Sequence, residues 1–157
     1  MIIQENFDNE TAPITIQAEI SHSILISRCN KTTIIVRGKA NAISIDNCQR
    51  LSLVIDSLVS AVDIIKASNF ALQVLETLPT ILMDQVDGAQ IYLGEHSMET
   101  EVFSHKCSSV NLNIIEGEDG DYKEVALPEQ LRHYIGKDGK VASEIVEHAG
   151  WASVIVL

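Results

Sequence analysis

Two groups of side chains have residue types and spacings that could perform chemistry. His105 and Cys107 form an H-x-C pair, and both residue types bind zinc, but no second pair follows at the spacing of a zinc site. Asp84, Asp87 and Glu95 could supply carboxylates to a metal ion or to sugar hydrolysis. Surface acids on an acidic chain, and a turn histidine beside a small buried thiol, explain both groups more simply. We therefore predict no metal site.

Sequence motifs of catalysis are missing. Ser, His and Asp all occur, but no G-x-S-x-G sequence marks a nucleophile elbow. No G-x-G-x-x-G or G-x-x-x-x-G-K-[ST] sequence is present to cradle a phosphate. We predict that the protein is not an enzyme, has no catalytic residues and needs no cofactor.

The charge balance narrows the classes of partner. The 157 residues include 11 Lys+Arg and 22 Asp+Glu, which gives a formal net charge of -11. Binding to nucleic acid or to an anionic membrane requires surplus cations, so we predict neither partner. No apolar run approaches the roughly 20 residues of a membrane helix, and the start MIIQENFDNE does not resemble a signal peptide. The odd number of cysteines then predicts free thiols in the cytoplasm.

Short alternating apolar segments recur along most of the chain. Examples are ITI at 14–16, ILI at 24–26, IIV at 34–36 and ISI at 43–45. The step is roughly ten residues, and the alternation within each segment has the period of a strand. Two architectures would space strands in this way: an antiparallel meander, sandwich or barrel, and a coiled solenoid. Hairpins favour Asn-Gly or Asp-Gly turns, and only Asp87-Gly88 has that form before residue 116, so we favour the solenoid.

A second periodicity of about twenty residues supports the solenoid. It is carried by Cys29, Cys48, Ser68, Asp87 and Cys107, each at the end of a strand segment. If one coil takes two segments, these small side chains would stack at one corner. We predict an all-β fold, a right-handed parallel β-helix of about five coils with two main strands per coil, over residues 1–120.

The rhythm changes after residue 116, and we assign residues 121–157 to a dimerisation arm. Tyr134–Ile135 and Val141–Val146 flank a Gly-Lys-Asp-Gly turn, which predicts a β-hairpin. An isolated hairpin is marginal in water, and a solenoid has open ends that invite association. We predict a homodimer in which this hairpin is exchanged. The predicted dimer contacts are Leu131, Tyr134, Ile135, Val141, Ile145 and Val146.

Three stretches of the sequence resemble a known family. They are residues 36–74, which contain VRGKANAISIDNC, residues 78–102, which contain LPTILMDQVDGAQIYL, and residues 121–150, which contain PEQ and end in VEHAG. They are similar to the C-terminal domain of the cyclase-associated proteins. The resemblance implies a right-handed β-helix that dimerises by exchange of C-terminal strands. In that family the chain usually ends near VEHAG, so WASVIVL would block or re-route the tail, or add a strand.

The resemblance also implies a function. The family binds monomeric actin (G-actin), prefers the ADP-bound form, promotes exchange of ADP for ATP and helps to recycle monomers released by cofilin. It implies a cytoplasmic, cytoskeleton-associated protein that meets cofilin–actin complexes indirectly. The region of resemblance and the outward positions of the predicted sheets give the expected actin contacts, which are Arg37, Lys39, Asp46, Lys66, Asn69, Glu147 and His148.

Two alternatives remain. Tubulin cofactor C and its relatives share a similar β-helix and insert an arginine into a G-protein site. Their Q-x-R-x-H/D pattern is absent here, because Arg37 is followed by Gly-Lys and Arg50 by Leu-Ser. The other alternative is a structural dimerisation module without exchange activity.

Overall fold

The protein consists almost entirely of β-strands. The computed structural model describes the backbone of residues 1–116, 120–148 and 152–156, and the side chains of these except Glu116, Glu147, His148 and 152–156. The strands are β1 (Ile2–Glu5), β2 (Ile14–Gln17), β3 (Ser23–Ser27), β4 (Asn30–Ala40), β5 (Ala42–Leu58), β6 (Ala61–Val74), β7 (Thr80–Leu93), β8 (Glu101–His105), β9 (Ser108–Glu116), β10 (Asp121–Ala126), β11 (Gln130–Ile135), β12 (Val141–His148) and β13 (Ala152–Val156). A short 3-10 helix, Glu95–Ser97, precedes β8.

Strands β1 to β9 pair in parallel with the strand one turn further along the chain. One continuous column joins Ile14, Ile34, Leu53, Leu72, Ile91 and Leu112. The chain therefore winds as a parallel β-helix, as predicted, and the antiparallel meander is excluded. It makes about six turns rather than the predicted five.

Each turn contributes one segment to each of two sheets, which we call the first and second walls. The first wall contains β1, β3, the opening halves of β5, β6 and β7, and β8. The second wall contains β2, most of β4, the closing halves of β5, β6 and β7, and β9. The inward residues alternate with outward ones and form an aliphatic core, in which Ile26, Ile34, Ile43, Ile55, Ile64, Leu72 and Ile91 are fully buried. Branched aliphatic side chains suit this narrow space because they pack closely on a pleated surface.

The predicted column of small residues at the corner was wrong in its register. Cys48 pairs with Ala67, and Gln49 pairs with Ser68, so Ser68 lies one position outside the cysteine column. Asp87 pairs with Ser68 and is displaced in the same way. The column that contains the buried Cys29 and Cys48 continues through Ala67 and Val86, both of which are buried.

The chain divides into two compact units, Met1–Val125 and Ala126–Leu157. The division falls later than the expected boundary at residue 120 because β10 adds to the β-helix sheet beside β9. The second unit is an antiparallel sheet in the order β11-β12-β13. Its first two strands form the predicted hairpin, with Ile135 opposite Val141. The backbone of the terminal extension adds a third strand, which pairs with β12.

Candidate protein-binding surfaces

The corner that leads from the first wall to the second is built on left-handed backbone. Each turn places two residues there with positive φ, three positions apart. The pairs are Asn6 and Asn9, Arg28 and Lys31, Asn47 and Arg50, Lys66 and Asn69, Gln85 and Gly88, and Lys106 and Ser109. The φ angles of the non-glycine members lie between 49 and 59°. Two further residues lie between the left-handed residues of each pair. The first of these intervening residues is directed into the core, where Cys29 and Cys48 are buried.

Cations are concentrated on this corner. Arg28, Lys31, Arg50, Lys66 and Lys106 are all exposed there, although the whole chain has only 11 Lys+Arg. We call these five residues the basic ridge. Among the described residues, none of the five has a side-chain hydrogen bond or an ion pair. The ridge therefore concentrates cations on one corner of an acidic protein.

The acids near the ridge are held by neutral donors. Ser108 donates a hydrogen bond to Asp87 over 2.7 Å, and Asn30 donates to Asp8 over 2.9 Å. The amide of Asn47 donates to Asp46 over 3.1 Å. These contacts position the carboxylates without pairing them to the cations of the ridge.

The actin contacts expected from the sequence lie in separate parts of the structure. Lys66 and Asn69 lie on the left-handed corner, and Asp46 lies where the first wall meets it. Arg37 and Lys39 lie at the opposite end of β4.

Arg37 is held at that end by an ion pair. Its Nη1 lies 3.4 Å from Oδ1 of Asp56, and the amide of Gly38 donates to Oδ2 of the same carboxylate over 2.8 Å. Glu147 and His148 belong to β12 by their backbone, but their side chains lie outside the described residues.

The two chemical clusters considered from the sequence are not assembled. His105 is exposed at the end of β8, while Cys107 is half-buried and its thiol donates to the carbonyl oxygen of His105. Asp84 ends the first-wall segment of β7, Asp87 lies on the left-handed corner, and Glu95 follows the second wall. Across the described ranges, no three His, Cys, Asp or Glu side chains come together as a metal site would require.

The first wall carries an apolar patch near its last turns. Ile65 and Leu82 are each 38% exposed, and Phe103 is 53% exposed. A shallow hollow of about 380 Å³ is lined by Leu82, Phe103 and the acids Asp63 and Asp84. Within the described part of the chain, the buried Oδ1 of Asp84 has no hydrogen-bond partner.

The predicted dimer contacts fall on two faces of the arm. Alternation along the paired strands places Leu131, Ile135, Val141 and Ile145 on one face. On this apolar arm face Ile135 is 75% exposed and Val141 is 74% exposed.

Tyr134 and Val146 lie on the opposite face of the arm. There Glu144 accepts hydrogen bonds from Arg132 over 3.0 Å and from Tyr134 over 2.8 Å. Arg132 also stacks on the Tyr134 ring, 4.5 Å from its centroid. The hydrogen bond that Tyr134 donates to Glu144, together with the negative charge of that carboxylate, raises the pKa of Tyr134.

Of the basic ridge, only Lys66 was among the actin contacts expected from the sequence. Arg28, Lys31, Arg50 and Lys106 were not among the expected contacts. The signal that would have found them is the repetition of Asn, Lys and Arg at the spacing of one turn, as at positions 28, 47 and 66 or 31, 50 and 69.

Three comparisons with known proteins agree with one another. The family described as "Adenylate cyclase associated (CAP) C terminal" matches residues 2–148. An adenylyl cyclase-associated protein of Schizosaccharomyces pombe is 43% identical over 93% of this chain and 26% of its own length. Adenylyl cyclase-associated protein 1 of Homo sapiens is 34% identical over 93% of this chain and 30% of its own length.

A solved structure shares the fold. The cyclase-associated protein of Cryptosporidium parvum superposes with a TM-score of 0.84 and 31% identity, covering 91% of this chain and 88% of that one. The chain spans about a quarter of the length of the curated relatives that it matches. Among the described residues, no helix has the length and apolar character needed to cross a bilayer.

Proposed function

The chain belongs to the C-terminal family of adenylyl cyclase-associated proteins, and on that premise we propose that it binds monomeric actin and promotes exchange of bound ADP for ATP. The ADP-bound monomer is the preferred partner, and faster exchange regulates filament turnover. The match over residues 2–148 is the observation that carries the proposal. Actin released by cofilin reaches the protein indirectly, in the cytoplasm and at the cytoskeleton.

The proposed mechanism breaks no covalent bond and uses no catalytic residue. A protein that binds one conformation of actin more tightly than another shifts the equilibrium towards that conformation. By linkage, a protein that binds nucleotide-free actin more tightly than ADP-actin lowers the affinity of actin for ADP by the ratio of those two affinities. A preference for ADP-actin over ATP-actin is compatible with this order. The two walls and the exposed corner offer broad surfaces for such an interaction.

We propose that the functional form is a homodimer. The apolar arm face, formed by Leu131, Ile135, Val141 and Ile145, leaves much of its hydrophobic surface in water. Burial of apolar surface is the main driving force of association, at about 25 cal/mol per Å². A second copy that offers the same face would remove it from solvent with two-fold symmetry.

The test of the proposed function is an exchange assay. Actin loaded with ADP is mixed with a fluorescent ATP analogue, and uptake of the analogue is followed with and without the protein. We expect uptake to accelerate with increasing protein and to saturate at a defined ratio to actin. If uptake is unchanged while GTP hydrolysis by tubulin or a small G protein accelerates, the relationship to tubulin cofactor C is the better account. If neither nucleotide uptake nor GTP hydrolysis changes but the protein dimerises, a structural dimerisation module is the better account.

A further inference from the structure

The left-handed corner allows the residues at equivalent positions of successive turns to be compared with one another. The same two backbone positions recur in every turn, so their local geometry is nearly constant, with φ close to 50° at non-glycine residues. Several turns fill these positions with Asn6, Asn9, Asn47, Asn69 and Gly88. Asn and Gly are the residues that adopt left-handed backbone at the lowest cost.

The cations of the basic ridge therefore require a reason other than the backbone. Lys and Arg gain nothing from a left-handed conformation and lack the short polar side chain that helps Asn to adopt it. They also pair with no acid among the described residues, so folding does not explain them through ion pairs. A contact outside the chain is a reason that fits both observations.

The register places four of these cations in three consecutive turns. Arg28 and Lys66 stand in one column, on either side of Asn47, and Lys31 and Arg50 are neighbours in the other column. Neighbouring turns of a sheet lie about 4.8 Å apart. The Cβ atoms of residues at positions i and i+4 on a helix lie about 5–6 Å apart, so the acidic side chains of a helix aligned along the ridge can approach several cations at once.

We propose that the basic ridge binds an acidic segment of the actin monomer, an inference that rests on the proposed function. A net charge of -11 opposes long polyanions, since nucleic acid or an anionic membrane meets the field of the whole protein. A short acidic segment feels mainly the charges within a screening length of about 8 Å at physiological salt. Such contacts raise the association rate and the specificity of an interface, and they weaken as salt rises.

The test replaces ridge cations with the residue that the chain itself uses at equivalent positions. In Arg28→Asn, Lys31→Asn, Arg50→Asn and Lys66→Asn combined, the left-handed backbone is retained and four charges are lost. The melting temperature should stay equal to that of the parent chain or rise. The dissociation constant for ADP-actin should increase about tenfold at low salt, mostly through slower association.

A double variant provides a matched control. Lys137→Asn with Lys140→Asn removes two exposed cations of the arm, and Arg50→Asn with Lys66→Asn removes two from the ridge. The ridge pair should weaken binding and flatten its salt dependence, whereas the arm pair should leave both unchanged.

The possible outcomes separate the two proposals. If the parent chain binds ADP-actin and the fourfold ridge variant binds equally well, the ridge inference is overturned and the proposed function stands. Equal losses in the two double variants would also overturn it, because net charge alone would then explain the effect. If the parent chain does not bind actin at all, both proposals fail together.

Discussion

Single residues at the corners set the direction of the chain, and Gly38 shows this most clearly. Its φ is +86°, and a Cβ at this position would lie 2.6 Å from the carbonyl oxygen of Ala18 in the neighbouring turn. Gly120 also has positive φ, at +72°, but a Cβ there would meet no atom of the described residues within 4 Å. A comparison of substitutions at Gly38 and Gly120 therefore separates the cost of backbone strain from the cost of a steric clash.

We predict that Gly38→Ala destabilises the protein by about 2–4 kcal/mol, since backbone strain and a clash with main-chain atoms add together. Gly120→Ala should cost only about 1 kcal/mol, from strain alone. Urea unfolding followed by circular dichroism measures both. Equal losses in the two variants would show that the neighbouring turn yields to the added methyl group.

Cys48 gives a pH dependence that can be measured. Burial raises the pKa of its thiol from 9.0 to about 11, although the Cys29 amide that donates to its sulfur opposes the shift. The folded protein therefore holds this proton at pH values where the unfolded chain has lost it, so the stability contributed by the protonated thiol is complete below pH 9 and is lost as pH rises towards 11.

We predict that the free energy of unfolding of the parent chain falls more steeply between pH 9 and 11 than that of Cys48→Ala. Urea titrations at pH 8, 9, 10 and 11 provide the comparison, and Cys107→Ala, a half-buried thiol, serves as the control. Parallel curves for the parent and the Cys48 variant would contradict the assigned shift.

At the scale of elements, β6 shows how one strand serves both walls. Its inward residues Val62, Ile64, Phe70 and Leu72 are buried, while the outward Ile65 remains partly exposed. Phe70 stands opposite Ala89 in the next turn. A large ring beside a small side chain keeps the spacing of the turns even, since interiors pack at nearly constant density.

We expect Phe70→Ala to cost about 3–5 kcal/mol, because the lost ring leaves a cavity that rigid turns above and below cannot fill. Ile65→Ala, on the outward side of the same strand, should cost less than about 1 kcal/mol. Denaturant unfolding of the two variants tests this difference. Similar losses in both would mean that the outward side of the first wall is also covered in solution.

At the scale of the whole molecule, the question is what covers the apolar arm face. We predict that Ile135→Lys with Val141→Lys keeps the chain folded and halves its mass in solution, from twice 17.2 kDa to the mass of one chain. Two buried cations without partners would oppose association strongly. Light scattering measures the mass.

The control for this experiment is Lys137→Glu, in the turn of the same hairpin, which should remain a dimer. A chain that ends at Val125 should be monomeric, because it retains the β-helix unit and lacks the arm. A monomeric parent chain, or a dimer that survives both changes, would remove the arm from the account of assembly.

The alternating apolar segments were enough to predict the strands and their inward side chains, and the shortage of hairpin turns then favoured the parallel winding. The strands were predictable because the period of two along a strand is a local property of consecutive residues. The hairpin of the arm was predictable for the same reason, from its glycine turn and flanking strands. The resemblance to the family likewise depends on runs of adjacent residues.

Only the tertiary structure decided the register between turns and the surfaces that it creates. A difference of one residue in the length of a turn places Ala67, not Ser68, beside Cys48, and the local pattern is the same in both cases. The same register gathers Lys66 with Arg28 and Arg50, and it separates Lys66 from Arg37 by the width of the second wall. Stacking of the turns brings together residues that are a whole turn apart in the chain. The basic ridge therefore forms only when the β-helix is folded, and no single segment of the sequence contains it.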